Sequence, residues 1–253
     1  MNSAQLVQRI NGPSVVQRTQ TVIDTRSTAK PIRHFGISPT IDKEENDGSV
    51  MTFTFVSHDK FDDGLDSLPF SVQQNQLTTA LKLSYPYGII LQSKEKSAAY
   101  PVIQFSYGTE RLEAKNDEYI IQGFNKNSCI YKEMRVLEGD IGNDLCFHQN
   151  VHYIILGFKT TDVKYNQALL ESWRDWTGAR HIYINFPEQL NLIKITLYHK
   201  QTIEDVNLFS YIVVVKCDGI TTKEKETILL DFVQRFRAEM TSNFVSVYQE
   251  VIT

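Results

Sequence analysis

The stretch VMTFTFV, residues 50–56, alternates Met51, Phe53 and Phe55 with Thr52 and Thr54, and Asp47-Gly48 just before it is a hairpin-type turn signal. An apolar side chain at every second position is the pattern of a strand with one face buried and one face polar. Working outward, the same period recurs through 88–92 (GIILQ), 101–107 (PVIQFSY), 118–124 (EYIIQGF), 129–137 (CIYKEMRVL), 151–159 (VHYIILGFK), 181–186 (HIYINF), 191–199 (NLIKITLYH) and 207–217 (NLFSYIVVVKC). Gly, Asn, Asp and Pro cluster between these runs, as in Gly139-Asp140-Ile141-Gly142-Asn143 and Cys217-Asp218-Gly219. Roughly nine half-buried strands must pair their apolar faces, so the expected fold is mainly β: a two-sheet antiparallel sandwich or jelly roll. An amino-terminal helical arm and a long carboxyl-terminal helix complete it.

Two helices are expected beside the sandwich. Over 163–176, Leu169, Leu170, Trp173 and Trp176 fall at helical spacing, and Thr177-Gly178 ends the run. Over 222–249, Thr221 followed by Glu224 reads as a capping box, and Ile228, Phe232, Phe236, Met240 and Phe244 recur every four residues. Ile228, Phe232, Phe236 and Met240 therefore form a stripe for helix packing or an oligomer contact. No internal repeat is visible.

Composition bounds the rest. The 253 residues are 42% hydrophobic and 22% charged, an ordinary globular balance that excludes a disordered chain. A net charge of −4 gives no electrostatic footprint for sequence-specific nucleic-acid binding. Residues 1–30 differ, with Arg9, Arg18, Arg26 and Lys30 against Asp24 and no aromatic residue. This segment reads as an arm preceding a single domain over 31–253. Within it Leu6, Val7 and Ile10 make a short apolar stripe that must dock on the body or on a neighbouring molecule, because so short a helix is marginal alone. MNSAQLVQRI lacks the apolar core of a secretory leader, and no apolar run reaches membrane-spanning length. Cys129, Cys146 and Cys217 show no Cys-x-x-Cys spacing, which suits a reduced, intracellular setting.

Candidate chemistry is sparse. Cys146, His148 and His152 have ligand-like spacing but no fourth partner, and Asp59, Asp62, Asp63 and Asp66 do not match a calcium loop, so no metal is expected. Nucleophile elbows, phosphate loops and dinucleotide fingerprints are absent, so no catalytic residue is assigned and the chain is not expected to be an enzyme. Twelve tyrosines spread through nearly every strand, and above their pKa of about 10 the formal charge falls from −4 to roughly −32. Tyr85, Tyr87, Tyr107, Tyr183 and Tyr198 are the candidate alkaline switch.

Five short features, in order, resemble the polyhedrins of cypoviruses. They are Asp47-Gly48-Ser49-Val50, Ser84-Tyr85-Pro86-Tyr87-Gly88, Ile103-Gln104-Phe105-Ser106, the unit from Tyr183 to Glu188 with Asn191, Ile193, Ile195 and His199-Lys200, and Phe232 to Glu239. That resemblance implies a structural protein of viral occlusion bodies in the cytoplasm of infected cells, crystallising around virions and dissolving in alkali. It implies homotrimers packed into a lattice, an amino-terminal helix reaching to neighbours, and bound nucleotides, with no cofactor required and no membrane partner. The alternatives are a jelly-roll viral capsid subunit whose arm of net charge +3 faces nucleic acid and, in a third class, a ligand- or carbohydrate-binding sandwich or a hydrolase.

Overall fold

The computed structural model describes residues 48–58, 68–84, 88–108, 123–139, 150–160, 166–201, 208–240 and 244–251. The chain divides into Met1–His34 and Phe35–Thr253, and every described residue belongs to the second unit. Leu6, Val7 and Ile10 lie outside the described residues, as do Asp59, Asp62, Asp63, Asp66, Tyr85, Tyr87, Cys146 and His148.

Eight strands form: β1 (Val50–His58), β2 (Ile89–Ser93), β3 (Val102–Tyr107), β4 (Phe124–Glu138), β5 (His152–Phe158), β6 (Asn191–Lys200), β7 (Tyr211–Asp218) and β8 (Phe244–Glu250). They close into one antiparallel barrel in the order β1-β3-β2-β8-β5-β7-β6-β4. The expected sandwich or jelly roll is therefore corrected to a closed barrel. Alternation marks the strands, but a sandwich and a barrel satisfy it equally. What decides is pairing between remote strands. β4 is long enough to pair with β1 over Phe124–Lys132 and with β6 over Tyr131–Glu138, and a bulge between Glu133 and Arg135 turns it from one partner to the other. The β2–β8 pairing closes the opposite seam.

The strand order contains a duplication that the sequence conceals. β5 to β8 run β-α-β-β-α-β in the spatial order fourth, first, third, second, and β1 to β4 have that same order. Each half thus lays one sheet of the barrel, and its helices cover the sheet's outer face.

Helix α1 (Phe70–Ser84) follows β1; α2 (Gln167–Glu171), α3 (Trp173–Trp176) and α4 (Ala179–Asn185) follow β5; α5 (Lys223–Glu239) precedes β8. Three helical expectations change. HIYINF forms most of α4 and not a strand, because Ile182, Tyr183 and Phe186 share a buried side while Ile184 and Asn185 face out. The long carboxyl-terminal helix stops at Met240, whose backbone is extended, and Phe244 begins a strand. Its amino-terminal cap is Thr222, which accepts the Lys225 N–H at 3.3 Å, one residue beyond the expected Thr221. Helix α1 was not anticipated, since its buried side includes Gln73, Gln74 and Thr78 beside Leu77 and Leu81. Those amides are satisfied by structure: Gln74 Nε2 donates to the carbonyls of Ser93 and Pro101.

The barrel interior is packed. Met51, Phe53, Phe55, Leu91, Ile103, Phe105, Cys129, Tyr131, Tyr153, Ile155, Tyr198, Ile212, Val214 and Tyr248 bring side chains from all eight strands together. Phe53 is its centre, with ring centroids of Phe105, Tyr131 and Tyr198 at 5.5, 5.3 and 5.3 Å. Each such buried side chain contributes roughly 1.5–3 kcal/mol, and edge-to-face rings add to that. The expected stripe on α5 packs on the outer core, where Phe232 and Phe236 are buried and Ile228 and Met240 are partly buried. Among the described residues no helix is long and apolar enough to cross a membrane.

Candidate functional site

One end of the barrel gathers the starts of β1, β2, β5 and β6 and the ends of β3, β4, β7 and β8. Side-chain parity at this end directs polar groups inward, above the aromatic packing. Tyr107 continues the inward series of Ile103 and Phe105 and is 73% exposed at the rim. Tyr153 and Tyr198 lie deeper, 2% and 5% exposed. Glu133 stands opposite Tyr198 in the β4–β6 register, and Glu250 continues the inward series from Tyr248.

Hydrogen bonds hold both carboxylates. The Tyr153 hydroxyl donates to Glu250 Oε2 at 2.9 Å, and the Ser49 hydroxyl donates to Glu133 Oε2 at 3.1 Å. Burial pushes the Tyr153 phenol far above its ordinary range, and the Glu250 carboxylate and Tyr107 push in the same direction. Burial does the same to Tyr198, aided by Glu133 and Tyr107. Phenols held neutral this strongly remain hydrogen-bond donors throughout the physiological range.

At the opposite end a cavity of about 410 Å³ is lined by Glu95, Ser97, Ala98, Arg237, Phe244 and Ser246, among others. Its polar wall is already committed. Arg237 Nη1 and Nη2 each donate to a Glu95 oxygen at 2.6 Å, Nε and Nη2 donate to the Val245 carbonyl, and Nη1 also donates to Gln234. Five N–H groups serve these five contacts, so no guanidinium donor is left to receive a ligand. Glu95 Oε2 further accepts the Ser246 hydroxyl at 2.6 Å and the Val247 N–H at 3.0 Å. Burial alone would raise the Glu95 pKa, but the bonds from Arg237, Ser246 and Val247 outweigh it and hold the carboxyl below its usual range. This is a clamp joining the β2–β3 loop to α5 and β8.

The expected candidates distribute as follows. Of the metal-spaced set only His152 is described; it is buried on the outer face of β5, with Nδ1 2.9 Å from the Asn150 carbonyl. Burial depresses its pKa, and that of His199, which lies on the outer face of β6 against Tyr211. Cys217 stands opposite His152 in register, its thiol pushed up by complete burial. Among the described residues no three His, Cys, Asp or Glu side chains group as metal ligands. Of the alkaline-switch tyrosines, Tyr107 and Tyr198 share the barrel end, whereas Tyr183 is buried on α4 outside the barrel. Tyr153, Glu133 and Glu250 were missed. Parity along the correctly read strands identifies them as a possible inward set, but only the closure of the barrel brings them together.

Residues 86–250 match the family model described as Domain of unknown function (DUF7153). No curated protein matches the sequence. Among solved structures, the chain is similar to an anthrone oxidase-like protein at 12% identity, covering 82% of this chain and 93% of that one with a TM-score of 0.48. It is similar to a mutant chlorite dismutase from Candidatus Nitrospira defluvii at 11% identity, covering 81% and 92% with a TM-score of 0.41. A cyanide complex of another mutant of that dismutase gives 11% identity, 81% and 91% coverage and a TM-score of 0.43. The family match and the fold overturn the polyhedrin resemblance: the matching family is another one, and a closed barrel is not the implied sandwich. The occlusion-matrix reading and its capsid alternative fall with it. The trimer, virion, lattice, nucleotide and infected-cell expectations lose the ground on which they stood.

Proposed function

Taking as premise that the chain belongs to the family described as Domain of unknown function (DUF7153), we propose that it is a small-molecule-binding barrel whose ligand enters at the tyrosine-lined end. One observation carries this reading. Tyr107, Tyr153 and Tyr198 with Glu133 and Glu250 face inward at one end of a barrel whose interior below them is dominated by apolar and aromatic side chains. A cluster of phenols over an aromatic floor suits a compact ligand with a planar apolar body and a few oxygen substituents. The described residues supply hydrogen-bond donors and acceptors there, and the reading is one of ligand binding.

Calorimetric titration with benzyl alcohol, phenol and benzoate tests it. At least one of these probes is expected to bind, and Tyr153→Phe or Tyr107→Phe is expected to weaken that binding at least fivefold. Absence of binding by all three, or binding unaltered in both variants, overturns the reading.

A further inference from the structure

Lys194 on β6 and Lys216 on β7 are direct cross-strand partners, and Lys216 is also opposite Tyr153 on β5. All three share the inward face. Ile195 and Val215 belong to the outer core, which places their neighbours Lys194 and Lys216 on the side of Tyr198, Val214 and Tyr153. Both lysines are half-buried, and among the described residues neither forms an ion pair. Glu138 is opposite Lys194 on β4 but is exposed and makes no such pair among the described residues. Like charges directly opposed on one face of a sheet repel, so this arrangement is costly unless an anion lies between them.

A second observation points the same way. Thr196 lies two residues along from Lys194 on the same face and is 1% exposed. Its hydroxyl is near Tyr198 but, among the described residues, reaches no partner at good hydrogen-bond geometry. A buried hydroxyl in that condition is costly, and a ligand oxygen relieves the cost. Of the carboxylates at this end, Glu133 on β4 accepts the Ser49 hydroxyl and Glu250 on β8 accepts the Tyr153 hydroxyl.

We propose that Lys194, Lys216 and Thr196 recognise an anionic oxygen group, a carboxylate, on the ligand's apolar body. This rests on the binding reading above and adds the ligand's charge to it. Benzoate and benzyl alcohol separate the two statements, being similar in size and differing in charge. Benzoate is expected to bind at least tenfold more tightly at low ionic strength, with the advantage shrinking as salt is raised. Lys216→Gln and Lys194→Gln are expected to remove most of that advantage while leaving benzyl alcohol affinity within twofold, with near-UV circular dichroism confirming an unaltered fold. Inorganic phosphate that competes with benzoate as effectively as acetate does marks a general anion site and overturns the carboxylate assignment. Equal binding of the two aromatic probes, or benzoate binding indifferent to both lysine variants, overturns the anion proposal and leaves the site reading standing. Failure of both probes to bind overturns the two together.

Discussion

Arg237 and Glu95 meet end-on, each guanidinium Nη 2.6 Å from a different carboxylate oxygen, and this pair fixes the β2–β3 loop against α5 and β8. Both side chains are largely withdrawn from solvent, so removing one strands the other. Arg237→Ala is expected to lower unfolding free energy by roughly 2–4 kcal/mol, and Arg237→Lys to recover little, because an ammonium cannot reproduce the two-pronged geometry. Urea unfolding of both variants and of Glu95→Gln checks this; a loss under 0.5 kcal/mol for Arg237→Ala contradicts the clamp.

Acid is expected to weaken the fold in two stages. The native pKa of His152 and His199 is depressed by burial, so between that value and about 6.5 the unfolded chain binds protons that the native chain refuses. Stability therefore falls as pH drops below about 6.5. The lowered pKa of Glu95 adds stability that is complete above its unfolded value near 4.5 and is lost as pH falls through the folded value. Urea midpoints measured from pH 7.5 to 3 should bend at both places, and His152→Gln should flatten the first bend.

Alkali acts in the opposite sense on three phenols. Burial is the leading cause of the raised pKa of Tyr153, Tyr198 and Tyr248, so the native state keeps protons that the unfolded state releases above about pH 10. Their stabilising contribution is complete below pH 10 and is lost as pH rises toward the folded values, at about 1.4 kcal/mol per pH unit for each phenol. Absorbance near 295 nm should show delayed phenolate formation that is released together with unfolding. Smooth titration of every tyrosine near pH 10 in a still-folded chain contradicts it.

Gly157 faces the barrel interior beneath Phe209, and a Cβ there comes 2.6 Å from the ring. Phe209 stacks with Phe244 and meets Phe55 and Tyr100 edge-on, so the ring has little room to retreat. Gly157→Ala is expected to cost about 1–3 kcal/mol, and Phe209→Leu in the same chain to restore part of it. Thermal unfolding of the single and double variants measures this.

How much of this was legible in the sequence depends on range. The alternation of Met51, Phe53 and Phe55 and the apolar run Ile212-Val213-Val214-Val215 are local and correctly identify strands. HIYINF misleads because six residues with scattered apolar side chains fit a strand or a helix turn equally well. Phe244 continued the four-residue spacing from Met240, while the strand signal of the following Val245-Ser246-Val247-Tyr248 was overlooked. Barrel closure depends on β4 pairing with both β1 and β6, and on β2 finding β8 across more than 150 residues. No local pattern encodes those partners. Tyr153, Tyr198, Lys194 and Lys216 were each readable as inward-facing, yet their convergence depends on that closure.

The most direct test of the tyrosine-lined end as a ligand site is a titration of ring-¹³C-tyrosine-labelled protein with benzoate, followed by nuclear magnetic resonance and assigned with single Tyr→Phe variants. The resonances of Tyr107, Tyr153 and Tyr198 are predicted to shift together and saturably, while Tyr100, which packs with Phe209 and Phe244 at the opposite end, stays in place. Shifts confined to Tyr100, or no saturable shift in any tyrosine, would contradict the account.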